Sequence, residues 1–173
     1  MKPARLLTLL LFLLGIAISE TASAQRAPRT PRQKAAVRKA DKIHARRVIR
    51  RTAYVILSAQ KKVKENKNYT GDLARAIAHQ RYARKLYFQG KFLRAMHQSR
   101  RARYFAILAI QANKGTETAD MKLDPEDEGV MNDSPTTDAE LDKELETADP
   151  GYSQKDQDFV DAALNDLDLS DVE

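Results

Sequence analysis

Residues 86–109 read LYFQGKFLRAMHQSRRARYFAILA, with Gly90 standing alone between two stretches free of Gly and Pro. After it, Ala95, Ser99, Ala102, Ala106 and Ala109 recur at spacings of four, three, four and three, which lines small side chains along one helix face. Such a seam lets a second helix approach closely. Gly90 occupies the place where a helix ends on a left-handed residue, and a new periodic pattern begins at once with Phe92. The stretch therefore reads as helix three, from 92 to about 113 and ended by Gly115, packed against helix two, from about 73 to 88. Ala83, Gly90, Phe92, Ala95, Ser99, Ala102 and Ala106 are its expected packing residues. Met96, Phe105, Ile107, Leu108 and Ile110 flank the seam and supply apolar area.

Upstream, residues 33–66 contain no Gly or Pro, and Val37, Ala40, Val48, Val55, Ala59 and Val63 recur mostly at helical spacings. This is helix one, with a candidate break near Asp41. The turn that follows, Asn66-Lys67-Asn68-Tyr69-Thr70-Gly71-Asp72, offers Thr70 or Asp72 as a cap for helix two. Residues 25–32 hold Pro28 and Pro31 among arginines and read as an extended basic arm.

Residues 1–24 have the order of a secretory signal peptide: Lys2 and Arg5, an uncharged apolar run from Leu6 to Ile18, then Ala22-Ser23-Ala24. Thirteen residues at 1.5 Å rise cover about 20 Å, short of the roughly 30 Å hydrocarbon core a spanning helix must cross. Cleavage after Ala24 predicts an exported chain, periplasmic or secreted, with no transmembrane anchor once cut.

The chain has 173 residues, no Cys, no Trp, 6 Gly and 6 Pro. Lack of cysteine removes disulfides, thiolate nucleophiles and zinc–thiolate or iron–sulfur sites, and few glycines and aromatics weigh against sandwiches, barrels and dinucleotide folds. Charge is sharply divided. Residues 25–115 carry 25 Lys+Arg against Asp41, Glu65 and Asp72, whereas residues 116–173 carry 20 Asp+Glu against Lys122, Lys143 and Lys155. The fold class expected is all-α: a basic three-helix bundle or hairpin stack over 33–115, then an acidic, largely disordered tail over 116–173. Two short amphipathic helices are expected in that tail, near 138–147, where Thr137 and Glu140 form a capping box, and near 153–168. Leu141, Leu145, Phe159, Val160, Leu164 and Leu167 are the candidate docking residues.

The run Leu86 to Ala95, with Ser99 and Ala102, resembles the middle of a tetratricopeptide repeat. Gly90 matches the repeat's turn glycine, Phe92 the aromatic two residues on, Ala95 and Ala102 the alanines three and ten after it, and Ala83 the small position on the preceding helix. The resemblance covers about 73–107, once, and no Pro closes helix three as the repeat usually has. It implies a helical hairpin and, by analogy, a protein–protein adaptor.

Chemistry-bearing motifs are sparse. His44, His79 and His97 have no metal-ligand spacing and read as exposed or half-buried helix positions; Ser58 and Ser99 lack a nucleophile elbow. Asp124, Glu126, Glu128 and Gly129 match early positions of a calcium loop, but Pro135 stands where a bidentate Glu is needed. The sequence thus points away from an enzyme, with no catalytic residue, metal or cofactor expected. Arg38, Lys42, Arg46 and Arg50 follow one another at i+4 on helix one, with Arg47 and Arg51 beside them, and like charges at that spacing repel by about 0.2–0.5 kcal/mol per pair. These six are the candidate anion-binding residues. Their expected partner is the acidic tail of the same chain, an envelope polyanion such as lipopolysaccharide or anionic lipid, or an envelope protein. Export argues against nucleic acid, and the broad apolar faces allow a homo-oligomer.

Overall fold

The computed structural model describes residues 30–169, in which all regular structure is helical and no strand occurs. The signal-peptide reading of 1–24 and residues 25–29 of the expected arm lie outside the described residues.

α1 (Pro31–Asn66) opens on Thr30, whose hydroxyl accepts from Gln33 N–H while the Gln33 side chain accepts from Thr30 N–H. Pro31 at the first helical position needs no donor there. The helix thus starts two residues earlier than periodicity suggested, taking Pro31 and Arg32 from the expected arm, and it runs through Asp41 without a break. α2 (Asp72–Phe88) and α3 (Phe92–Ala112) form the hairpin read from the sequence. At the junction Gly90 takes φ +73°, Gly90 N–H donates to Tyr87 O and Lys91 N–H to Leu86 O, so orphan carbonyls of α2 are satisfied within the turn.

The seam behaves as its spacing implies: Ala95, Ser99, Ala102, Ala106 and Ala109 are all fully buried, as is Ala83 opposite. Phe92 is half-buried, its ring edge-on to Tyr87 at 5.3 Å. The core has two apolar clusters. One joins Ile56, Ala59 and Val63 of α1 to Leu73 and Ile77 of α2 and Phe105 and Ile110 of α3. The other joins Ala45, Val48 and Ile49 to Leu86 and Tyr87 and to Ala95 and Met96. Each fully buried Leu or Ile contributes about 1.5–3 kcal/mol.

The acidic portion differs from the largely disordered chain that composition suggested. It carries α4 (Pro125–Asn132), α5 (Asp138–Ala148) and 3-10 turns at Ala119–Met121 and Asp156–Asp158. α4 is capped by Asp124, and α5 by the expected Thr137–Glu140 box. The second amphipathic helix read near 153–168 is absent: beyond the Asp156–Asp158 turn the chain proceeds through bends and turns. Its carbonyls instead accept from bundle side chains, as described below, which replaces the helical ladder. Even so, Leu141, Leu145, Leu164 and Leu167 are buried, and Phe159 and Val160 half-buried, against the bundle.

Candidate functional site

Acids spaced at i+4 fall on one face of a helix, and α5 turns such a face toward α3. Arg101 grips Asp142 with two bonds, Nε to Oδ1 at 2.8 Å and Nη2 to Oδ2 at 2.6 Å, and reaches Asp138 at 2.9 Å. Its guanidinium also stacks 4.3 Å over the Phe105 ring. Burial lowers the Arg101 pKa, but the Asp142 hydrogen bond and the charges of Asp142 and Asp138 outweigh this and leave it raised. Arg100 meets Asp138 at 3.1 Å, and Arg94 meets Glu144 at 2.6 Å.

α1 presents His44, Arg47 and Arg51 on one stripe to the start of α4. His44 Nδ1 lies 2.8 Å from Asp127 Oδ1, Arg47 donates to Glu126 at 2.9 Å, and Arg51 to Asp124 at 3.1 Å. Asp127 is 1 % exposed, so this end of the tail is anchored below the surface. Arg81 of α2 holds Asp166 through two bonds of 2.7 and 3.3 Å, and Lys64 of α1 reaches Asp161 at 2.7 Å.

The six anion-binding candidates therefore divide. Arg47 and Arg51 are taken by tail carboxylates, and Arg46 is not free either. Arg38, Lys42 and Arg50 are exposed and form no ion pair among the described residues. Of the three histidines, His44 is half-buried as expected, but His79 and His97 are each 2 % exposed, and burial is the main cause holding these two imidazoles below the usual pKa.

Sequence reasoning missed a polar layer that lies between the two apolar clusters: Thr52 on α1, His79 and Gln80 on α2, and Gln98, Ser99 and Arg103 on α3. Ser99 Oγ donates to Gln80 Oε1 at 2.9 Å, and Gln80 Nε2 donates to Ile49 O and Leu167 O, both at 2.8 Å. His79 Nδ1 and Gln98 Oε1 are 2.7 Å apart, and Gln98 Nε2 donates to Leu141 O at 3.1 Å. Arg103 donates through Nε to Thr52 Oγ1 and through Nη1 to Met121 O and Lys122 O. Burial, with Arg51 nearby and Asp127 opposing, brings the Arg103 pKa down to about 10, which leaves it charged at neutral pH. Three of these side chains end on main-chain carbonyls of the acidic portion. The available signal was Gln80, placed on the same α2 stripe as Leu73, Ala76, Ile77 and Ala83.

Among the described residues no group of three or more His, Asp or Glu gathers as a metal site would, and no helix is long and apolar enough to cross a membrane. Comparison with protein-family models, curated proteins and solved structures finds no match to this chain.

Proposed function

We propose that this is a non-enzymatic, exported helical protein that acts through interactions, in which the acidic portion after Gly115 covers and neutralises the basic helices. One observation carries the reading: tail carboxylates are distributed over all three helices, with Asp124 and Glu126 on α1, Asp166 on α2, and Asp138, Asp142 and Glu144 on α3. Such coverage lowers the self-repulsion of the arginines and withholds them from other anions. Replacing Asp138, Asp142 and Glu144 by Asn, Asn and Gln leaves Arg94, Arg100 and Arg101 without these counter-charges. The variant should then need more salt than the wild-type chain to leave a heparin column; identical elution would contradict shielding. Export is checked separately, by locating the processed chain in cell fractions.

A second reading, binding of a phosphate-bearing envelope polyanion, is favoured by the exposed Arg38, Lys42 and Arg50. Their joint replacement by Gln should abolish co-sedimentation with phosphatidylglycerol vesicles at low salt, and undiminished binding would rule this face out. An adaptor role like that of tetratricopeptide repeats is supported by the close α2–α3 hairpin at Gly90.

A further inference from the structure

The segment from Phe159 to Leu169 lies in the cleft between α1 and α2, and its manner of attachment is unusual for a piece of core. Within it Ala162 N–H donates to Phe159 O, and no regular helix or strand forms. Its other carbonyl partners are side chains that reach out from the two helices. Gln60 Nε2 of α1 donates to Phe159 O at 2.6 Å and Ala162 O at 2.9 Å. Arg84 of α2 donates to Asp166 O at 3.1 Å, and Gln80 bridges Leu167 O to Ile49 O.

Each of these donors reads a main-chain carbonyl, a group every polypeptide offers. Selectivity comes from what lies around them. Leu164 and Leu167 enter the cluster of Ala59, Val63 and Ile77, and Leu169 enters that of Ala45, Ile49 and Leu86. Lys64 and Arg81 stand at the rim opposite Asp161 and Asp166, and Arg81 lies 5.6 Å over the Phe159 ring. The combination of main-chain donors, apolar holes at fixed intervals and a cationic rim is the physical description of a peptide-binding groove.

We propose that the α1–α2 cleft is a recognition groove for an extended acidic segment of a partner protein, and that Phe159–Leu169 is a resident stand-in for that ligand. The chemistry of the partner follows from the stand-in: apolar residues at the relative spacing of Phe159, Leu164, Leu167 and Leu169, with carboxylates at the places of Asp161 and Asp166. Displacement is local. The two rim ion pairs are largely exposed, and exposed pairs hold weakly, so release costs the leucine burial and the carbonyl bonds that an incoming segment of like chemistry restores. This inference rests on the interaction reading above but not on shielding, because the groove grips by carbonyl bonds and leucines.

The test uses the full chain carrying Leu164→Ser and Leu167→Ser, with a fluorescein-labelled peptide of the sequence 157–169 as probe. The variant, its helical circular dichroism retained, should bind the peptide about tenfold or more tighter than the wild-type chain, whose groove is occupied. Binding should persist at about 1 M NaCl, where the Debye length is about 3 Å and a purely electrostatic association would be lost. A scrambled peptide should bind neither protein. A folded variant that ignores the peptide, or binds the scrambled one equally, overturns the proposal. So does a variant that loses its helices, since the segment is then a fixed part of the core.

Discussion

The carboxylate of Asp156 accepts from the backbone N–H of Gly71 at 2.9 Å and of Ala74 at 3.0 Å, and so caps α2 from a point 85 residues beyond Gly71. Gly71 supplies no side chain at the N-cap; of the expected caps, Thr70 accepts through its hydroxyl from Asp72 N–H at 3.3 Å and donates to the Asp72 carboxylate, which leaves the Gly71 and Ala74 amides to Asp156. The positive end of the helix and the two amide bonds offset the cost of burying the Asp156 carboxylate. Asp156→Ala should lower stability by about 1–2 kcal/mol, read as a drop in the urea midpoint. Asp156→Asn, which keeps one acceptor, should fall between that variant and the wild type.

Gln80 is the hub of the polar layer, joined to α1, α3 and the acidic portion at once. Gln80→Leu is close in volume but strands Leu167 O and the Ser99 hydroxyl and removes the second bond of Ile49 O, which keeps its helical one; each stranded buried group costs about 1–3 kcal/mol. Chemical denaturation should show a loss larger than that of Ala83→Gly on the same helix. A neutral outcome would mean that water takes the place of the carboxamide.

Charge pairs of similar count should differ greatly in worth. Arg101 is bidentate to Asp142, stacked on Phe105 and only 12 % exposed at its side chain, so Arg101→Ala should cost about 1.5–3 kcal/mol. Lys64 and Asp161 are 63 % and 76 % exposed, and Lys64→Ala should stay within about 0.5 kcal/mol. Melting temperatures at low and high salt separate the two cases, since only the exposed pair is fully screened.

Acid should weaken the fold before its carboxylates titrate. His79 is held below its ordinary pKa chiefly by burial, with Gln98 and Asp142 opposing and Arg101 and Arg75 assisting; His97 is lowered by burial and Arg100, with Arg94 assisting and its bond to Ser134 O opposing. The unfolded chain therefore takes up protons first as pH falls through about 6.5, so stability present above that value is lost below it. Urea midpoints should fall between pH 7.5 and pH 5.5. His97→Gln, which keeps a donor for Ser134 O, should flatten that slope.

The helical bundle was legible because its signals are local. A lone Gly90, alanines at three and four, and the absence of Gly and Pro from 33–66 each act within a few turns. The acidic portion was opaque because its order is borrowed: Asp138 and Asp142 look like repelling neighbours until Arg101 is placed between them, and Leu167 looks like a helical residue until Gln80 claims its carbonyl. Composition counts charges but does not pair them. The polar layer was hidden for a related reason, since Gln80 and Ser99 on an apolar stripe gain meaning only when two helices bring them within 2.9 Å. For the anion-binding candidates, the i+4 pattern could not say which side of α1 faces solvent and which meets the acidic portion.

A ribosome finishes residues 31–112 long before it adds Asp156. Until then only the Thr70 hydroxyl serves the first turn of α2, and the Gly71 and Ala74 amides wait for their carboxylate. Order of synthesis thus leaves the clasp to the last stretch made, and the bonds that tie α2 to the acidic portion through Asp156 and Leu167 can close only after that stretch is present.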